Sequence, residues 1–153
     1  MLSPVTSCQQ VCVACRLCEV HCVAAHSRSK DVLKAFKRES PRPLARIRVQ
    51  ERGALSFALT CRHCQEPLCV YACLTGAMRR TGSGAVVVDA EKCIGCWTCV
   101  LACPFGAVTP DHAAHVAVKC DLCEGQEAPW CVTYCPNAAL LAGTTTRADG
   151  GCP

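Results

Sequence analysis

The chain contains the stretch Cys93-Ile-Gly-Cys-Trp-Thr-Cys-Val-Leu-Ala-Cys103-Pro104, which reads C-x2-C-x2-C-x3-C-P. Its first three cysteines are close enough in sequence to wrap a short loop around one face of a 4Fe–4S cluster. The fourth lies beyond that loop and, in proteins with this spacing, ligates a second cluster. One such motif therefore predicts a partner motif elsewhere in the chain.

Three further groups of four cysteines repeat this pattern. They are Cys12, Cys15, Cys18 and Cys22 with the same spacing, Cys61, Cys64, Cys69 and Cys73 with a middle gap of four residues, and Cys120, Cys123, Cys131 and Cys135 with a middle gap of seven. The four motifs use sixteen of the 18 cysteines. Sixteen thiolates predict four 4Fe–4S clusters.

Two other uses of cysteine fit the pattern less well. Structural zinc sites usually present two C-x2-C pairs separated by a longer run, whereas here the unit is a triplet with an offset fourth cysteine. A zinc-stapled structural or protein-interaction module is nevertheless the alternative to an iron–sulfur protein. A disulfide framework does not require cysteines two and three residues apart in four groups.

The compartment and the core follow from composition. Residues 1–8 show no basic region, apolar run or twin arginine, so we expect no export signal. We therefore expect the protein to be in the reducing cytoplasm. Export together with a partner that carries a signal is the alternative. No apolar run reaches the roughly 18 residues of a membrane helix. Because aromatic residues make up only 5% of the chain, we expect the clusters to fill the interior and the metal-free chain to be largely unfolded.

The formal charge of +4 does not indicate a nucleic-acid or membrane partner. Each oxidised cluster with its four thiolates contributes roughly −2, so four clusters bring the chain to about −4. The basic residues therefore largely offset the clusters.

Short repeats follow the fourth cysteine in three motifs. They read Cys73-Leu-Thr-Gly-Ala, Cys103-Pro-Phe-Gly-Ala and Cys135-Pro-Asn-Ala-Ala, and each leads into a strand-like segment. Two hairpins are predicted: one joins 78–80 to 85–88 through the turn 81–84, and the other joins 107–109 to 115–118 through Pro110 and Asp111.

An insertion separates the first two motifs. Residues 29–38 predict a short helix that ends before Pro41. Residues 44–50 predict a strand with one basic face, Gly53 ends it, and 55–59 can pair back as a second strand. The tail after Leu141 is polar and glycine-rich, which predicts a loosely held end.

The four motifs, from Cys12 to Cys135, resemble those of bacterial-type two-cluster ferredoxins and of small four-cluster electron-transfer subunits. Such subunits occur in complexes of the dimethyl-sulfoxide-reductase type, formate dehydrogenases and formate hydrogenlyases, carbon monoxide dehydrogenases and tungsten aldehyde oxidoreductases. The resemblance implies an α+β fold of two pseudo-symmetric two-cluster units with short hairpins and short helices. The outer unit would comprise 1–23 and 104–141, the basic insertion 24–60, the nested inner unit 61–103 and the loose tail 142–153.

The resemblance also implies that motifs exchange their fourth cysteines. The expected ligand sets are Cys12, Cys15, Cys18 and Cys135 for cluster 1, Cys61, Cys64, Cys69 and Cys103 for cluster 2, Cys93, Cys96, Cys99 and Cys73 for cluster 3, and Cys120, Cys123, Cys131 and Cys22 for cluster 4. Two departures from the pattern are Leu74 and Val23, which stand where proline usually follows the fourth cysteine. They affect the local backbone rather than the ligands.

Several residues near the motifs have ordinary explanations. Cys8 and Cys152 lie outside the motifs, and we interpret them as spare thiols. Trp97 and Trp130 are expected to pack near clusters. The histidines that we expect to be hydrogen-bonded or exposed rather than ligands are His21, His63, His112 and His115.

The insertion is rich in basic residues. They are Arg28, Lys30, Lys34, Lys37, Arg38, Arg42, Arg46 and Arg48. A docking surface for a partner enzyme and a solvated basic face explain them equally well.

No catalytic motif is present: the chain has no dinucleotide loop, no nucleophile elbow and no metal site with an open position. We therefore expect a non-catalytic subunit that carries single electrons between a larger catalytic subunit, of molybdenum, tungsten or nickel–iron type, and a flavin or ferredoxin partner. If a cluster lies toward each end of the protein, copies of the protein could also stack into a longer path of clusters. An iron–sulfur enzyme proper would need an open iron and a substrate pocket, and the sequence indicates neither.

The first prediction concerns metal content. Protein prepared without oxygen should be brown and contain about sixteen iron atoms and as many acid-labile sulfides per chain, because each motif supplies four thiolates. Elemental analysis and sulfide assay measure both quantities. A colourless protein that contains zinc would contradict the prediction.

Overall fold

Short strands that pair two by two form the sheets of the molecule. The computed structural model describes residues 4–142. The antiparallel pairs are β1 (Thr6–Ser7) with β8 (Leu140–Leu141), β2 (Arg48–Arg52) with β3 (Leu55–Leu59), β4 (Met78–Arg80) with β5 (Val86–Val88), and β6 (Val108–Asp111) with β7 (Val116–Lys119). The helices are α1 (Leu17–Ala25), α2 (Val32–Lys37), α3 (Leu68–Tyr71), α4 (Thr98–Ala102) and α5 (Trp130–Thr133). The fold is a small α+β arrangement of short elements, as the sequence predicts.

The helices are as short as the strands. The longest in residues 4–142 is α1, with nine residues. No helix in this range has the length and apolar character needed to cross a membrane.

Both predicted hairpins are confirmed. Met78 pairs with Val88 in the first, and Val108 pairs with Lys119 in the second. The predicted turn of the second hairpin was wrong, because Pro110 and Asp111 belong to β6. A two-stranded ribbon leaves one edge of each strand unpaired, so a proline without an N–H is tolerated there.

The two ends of the described chain meet in β1 and β8. Thr6 pairs with Leu141, and the N–H of Cys8 donates to the Ala139 carbonyl at 2.8 Å. The sequence predicted a strand near Leu140 but gave no signal for β1, since two residues are too few for a periodic pattern. The predicted loose tail lies, apart from Ala142, outside the described residues.

The insertion forms the predicted helix and strand pair with shifted boundaries. Helix α2 begins after Asp31, whose carboxylate accepts from the N–H of Lys34 at 2.8 Å, so it is shorter than the predicted span of 29–38. Strand β2 begins at Arg48 rather than near 44. The N–H of Val49 donates to the Glu19 carboxylate on α1 at 2.6 Å, which ties the strand pair to the first motif.

Cysteines make up much of the two hydrophobic cores. One core combines Ile47, Val87 and Leu140 with Cys22 and Cys131. The other core combines Met78, Val86 and Val108 with Cys99. Because neighbouring side chains of a strand point to opposite faces, Val86 and Val87 let β5 contribute to both cores.

Candidate metal centres

Each of three cavities is lined by four motif cysteines. The sets are Cys12, Cys15, Cys18 and Cys135 (site 1), Cys61, Cys64, Cys69 and Cys103 (site 2), and Cys73, Cys93, Cys96 and Cys99 (site 3). In every set, three cysteines come from one motif and the fourth comes from another. The structure thus brings together the sets expected from the sequence, and their role as ligands stays a prediction.

The remaining motif cysteines, which we call site 4, are also near one another. They are Cys22, Cys120, Cys123 and Cys131. Burial, followed by the charges of Cys120, Cys22 and Cys123, raises the pKa of Cys131 far above that of an ordinary thiol. Burial likewise raises the pKa of Cys120 to about 12. Four thiols gathered in this way can ionise together only if a cation offsets their mutual repulsion.

All four motifs share one unusual backbone feature. The residue before the second cysteine has a positive φ in each: Ala14 (54°), His63 (46°), Gly95 (65°) and Leu122 (61°). This conformation costs roughly 1–2 kcal/mol for a residue other than glycine. Its recurrence shows that the four loops curve in the same sense, although two of them have widened gaps. Backbone strain of this kind is often kept where a loop must enclose a ligand.

The fourth cysteine of each motif accepts a backbone hydrogen bond. Three of the donors follow at the trailing repeats: the N–H of Met78 donates to Cys73 Sγ at 3.3 Å, that of Ala107 to Cys103 Sγ at 3.4 Å and that of Ala139 to Cys135 Sγ at 3.2 Å. Cys22 has a different donor, because the N–H of Arg46 in the insertion reaches its Sγ at 3.2 Å. Such donors favour a thiolate over a thiol.

Val23 permits the exception at Cys22 but does not alone cause it, since Leu74 also replaces proline and Cys73 keeps its usual donor. Proline after the fourth cysteine would restrict the preceding residue to extended backbone, and valine does not. Helix α1 therefore continues past Cys22 to Ala25, and the returning insertion supplies the missing N–H. Leu74, the other departure, lies outside helix α3 with 76% of its surface exposed.

These sites fit 4Fe–4S clusters by their donor sets. Each site presents four sulfur atoms, and soft thiolates are the ligands that such clusters use. The backbone N–H groups directed at sulfur suit an anionic group, and the raised thiol pKa values show that burial without a metal disfavours ionisation.

One charged network beside site 4 was missed by the sequence analysis. Asp121 Oδ1 lies 3.0 Å from His26 Nε2 and 3.0 Å from the N–H of Cys123, and Asp121 Oδ2 accepts from Arg46. Burial lowers the pKa of His26, but hydrogen bonds with Asp121 and Cys22 outweigh this and raise it to about 9. Burial raises the pKa of Asp121, whereas His26 and Arg46 bring it well below its usual range. The sequence did not predict this network because Asp121 is 95 residues from His26 and 75 residues from Arg46.

This network resembles a metal site only in part. The ligand atoms of His26, Asp121 and Cys123 lie within 4.8 Å of one another. Arg46 already occupies the Asp121 carboxylate, and Cys123 belongs to site 4. We therefore interpret Asp121 as the anchor that fixes the loop between Cys120 and Cys123.

Other residues named from the sequence have varied surroundings. Trp97 and Trp130 make edge-to-face contacts with His112 and Tyr134, which agrees with packing roles, and His21 stacks on Tyr134 at 4.0 Å. The structure records a disulfide bond at Cys8, so the prediction of a free spare thiol was wrong there. Cys152 lies outside the described residues.

Part of the basic insertion is engaged within the chain. Arg46 contacts Asp121, Arg48 donates to the Gly106 carbonyl at 2.7 Å, and the Arg42 guanidinium lies 4.7 Å from the Phe36 ring centre. Docking of a partner by the insertion stays a prediction.

Comparisons with known proteins place the chain in a family. Residues 54–145, more than half of the chain, match the family described as "4Fe-4S dicluster domain". The chain is 38% identical over 146 residues to "Electron transport protein HydN" of Escherichia coli (strain K12), covering 85% of this chain and 81% of that protein. It is 34% identical over 149 residues to "Thiosulfate reductase electron transfer subunit PhsB" of Salmonella typhi, covering 90% and 73%.

One solved structure is similar in fold. The "Active site complex BamBC of Benzoyl Coenzyme A reductase as isolated" contains a chain that matches with a TM-score of 0.50 and 22% identity, covering 92% of this chain and 76% of that one. This likeness concerns the fold alone. The chain belongs to the 4Fe–4S dicluster family, whose relatives are iron–sulfur electron-transfer proteins.

The second prediction tests the loop of site 3. A Cβ at Gly95 would lie 2.7 Å from the His115 carbonyl oxygen, whereas one at Gly106, with a similar φ of 60°, would meet nothing within 4 Å. We expect Gly95→Ala to lower the free energy of unfolding by about 2 kcal/mol more than Gly106→Ala, because only the first adds a collision to the strain. Loss of visible absorbance in guanidinium chloride measures the difference. Equal effects would show that the close approach is not maintained.

The third prediction tests the Asp121 network. Asp121→Asn removes the negative charge shared by His26 and Arg46. We therefore expect the free energy of unfolding to fall by about 2 kcal/mol, so that the clusters are lost at a lower concentration of guanidinium chloride. The control is Glu51→Gln, which breaks an exposed ion pair with Arg16 and should have little effect. If the two variants lose their clusters at the same denaturant concentration, Asp121 is not an anchor.

Proposed function

We propose that this chain is the four-cluster electron-transfer subunit of an oxidoreductase complex, with sites 1 to 4 each holding one 4Fe–4S cluster. When bound, each cluster would accept and release one electron. The ligands would be the sixteen cysteines defined above, with the fourth cysteines exchanged between motifs. The observation that carries this proposal is the convergence of four cysteines from two motifs at every site.

The short helices set the proposed order of the sites. Cys18 and Cys22 lie one turn apart on α1, about 6 Å along its axis, so sites 1 and 4 are neighbours. Cys69 and Cys73 bracket the end of α3 in the same way, which makes sites 2 and 3 neighbours. The charge of Cys61 acts on Cys120, which supports contact between sites 2 and 4. The resulting path runs 1–4–2–3.

The two ends of this path have exposed sulfur ligands. Cys15 of site 1 and Cys96 of site 3 are the exposed members of their sets. Electrons would therefore enter at one of these sites and leave at the other. The chain residues direct N–H groups at the sulfurs, and three of the four cysteines of inner site 4 are buried.

We further propose a larger catalytic subunit of molybdenum, tungsten or nickel–iron type as one partner and a flavin or ferredoxin protein as the other. PhsB is named as an electron transfer subunit of thiosulfate reductase, which supports a role beside a catalytic subunit. A second copy of the chain docking at an end site is an additional candidate. Mild affinity purification followed by identification of the co-purifying large subunit tests the assignment.

The fourth prediction tests the exchange of ligands. Cys103→Ala should remove one cluster, about a quarter of the iron, because four clusters share it equally. The double variant Cys64→Ala/Cys103→Ala should lose no more, since both residues serve site 2. The matched pair Cys96→Ala/Cys103→Ala should lose two clusters, although these residues share one motif. Iron analysis with spin quantification of the reduced protein distinguishes the cases, and the reverse pattern would contradict the exchange.

A further inference from the structure

Site 2 has two buried polar side chains that cluster ligation does not require. Its cavity measures about 440 Å³, and His63 and Lys119 line it together with the four cysteines. Only 7% of His63 and 3% of Lys119 are exposed. Two such polar groups beside one cavity need partners, because an unpaired buried polar group is costly.

The hydrogen bonding of His63 determines where its proton lies. The N–H of Val86 donates to His63 Nδ1 at 2.9 Å, so Nδ1 carries no hydrogen and the neutral ring is protonated at Nε2. His63 Nε2 is buried and has no hydrogen-bond partner among residues 4–142. An unused N–H donor therefore lies in the wall of the cavity.

Lys119 is a buried cation without a carboxylate partner. Its Nζ donates to the Cys120 carbonyl at 2.9 Å and to the Val86 carbonyl, and no carboxylate within residues 4–142 forms an ion pair with it. Burying an unpaired ammonium costs several kcal/mol. Burial raises the pKa of Cys69 in site 2 and of Cys120 in site 4, and the Lys119 charge opposes both effects. The cation thus faces two sites.

The other sites differ in this respect. No charged side chain lines the described cavity of site 3. Arg16 at site 1 is paired with Glu51, and the cations near site 4 are paired with Asp121. Among the three described cavities that motif cysteines line, that of site 2 combines a buried cation without a carboxylate partner and an unused ring N–H donor.

We propose that His63 and Lys119 are positioning residues for the site 2 cluster, which makes it the first cluster of the chain to be reduced. His63 Nε2–H donates to a sulfur of the cluster, and Lys119 supplies a fixed positive charge. Both favour the more negative state, since hydrogen bonds to sulfur and net charge are levers on cluster potential. The step is the transfer of one electron from a reduced redox partner to the oxidised cluster, with no bond made or broken and no proton moved. This inference rests on the proposed function.

The test is a redox titration of the full-length, cluster-loaded chain, monitored by electron paramagnetic resonance with dithionite as reductant. In Lys119→Gln, the equilibrium constant for the first reduction should fall at least about tenfold, which corresponds to 59 mV for one electron. Lys119→Arg keeps the charge and should retain most of the potential. The control, Lys37→Gln, removes the same charge from the exposed side of α2 and should change nothing. An unchanged first potential in Lys119→Gln, or an equal fall in Lys119→Arg, would overturn the role of the charge.

A second measurement addresses His63 without relying on potentials. In protein labelled with ¹⁵N-histidine, pulsed electron paramagnetic resonance of the cluster that is reduced first should show a coupling between the electron spin and a histidine ¹⁵N nucleus. This coupling should disappear in His63→Phe. Persistence of the coupling in that variant, or its absence in the wild type, would overturn the hydrogen bond. Failure of the proposed function would appear differently, as a wild-type protein that lacks its clusters or is not reduced at all.

Discussion

Mutual repulsion among buried sulfur atoms is the constraint on which this structure depends. Each site gathers four cysteines, and in each site burial raises the pKa of at least one thiol, so four ionised sulfurs are stable together only around compensating positive charge. Iron supplies that charge in the proposed state, and the loops, the N–H groups and the short helices are arranged to suit it. Ile47 and Val86 are the largest fully buried side chains among the described residues. A conventional apolar core of this size would hold the chain together only weakly.

The sequence predicted the two hairpins and the four cysteine motifs whose members gather at the sites, because their signals are local. Cysteine spacing reports directly on loop geometry, and the turn between β4 and β5 contains two glycines. The family match and the relatives confirm an iron–sulfur electron-transfer protein. Strand β1 was not predictable, because two residues that pair with the far end of the chain have no pattern of their own.

The sequence could not reveal the residues that surround the sites. The roles of Asp121, His26 and Lys119 depend on contacts with residues that are distant in the sequence. The sequence also did not predict the backbone around Val23. Helix α1 continues past it to Ala25, and the N–H that Cys22 accepts comes from Arg46 in the insertion. Spacing thus predicts which atoms can hold a cluster, whereas the electrostatic surroundings of that cluster arise from tertiary structure.

The nesting of the cysteine sets has a consequence for biosynthesis. A ribosome makes the chain from its N-terminus, and the sets of sites 2 and 3 are both complete once Cys103 has emerged. Site 4 needs Cys131 and site 1 needs Cys135, although their earliest members are Cys22 and Cys12. In the proposed state, the cysteines made first would therefore have to stay reduced and unengaged until Cys131 and Cys135 have been translated. Under the proposed ligand exchange, sites 2 and 3 would be filled first, and site 1 would be completed last by two segments that lie far apart in the sequence.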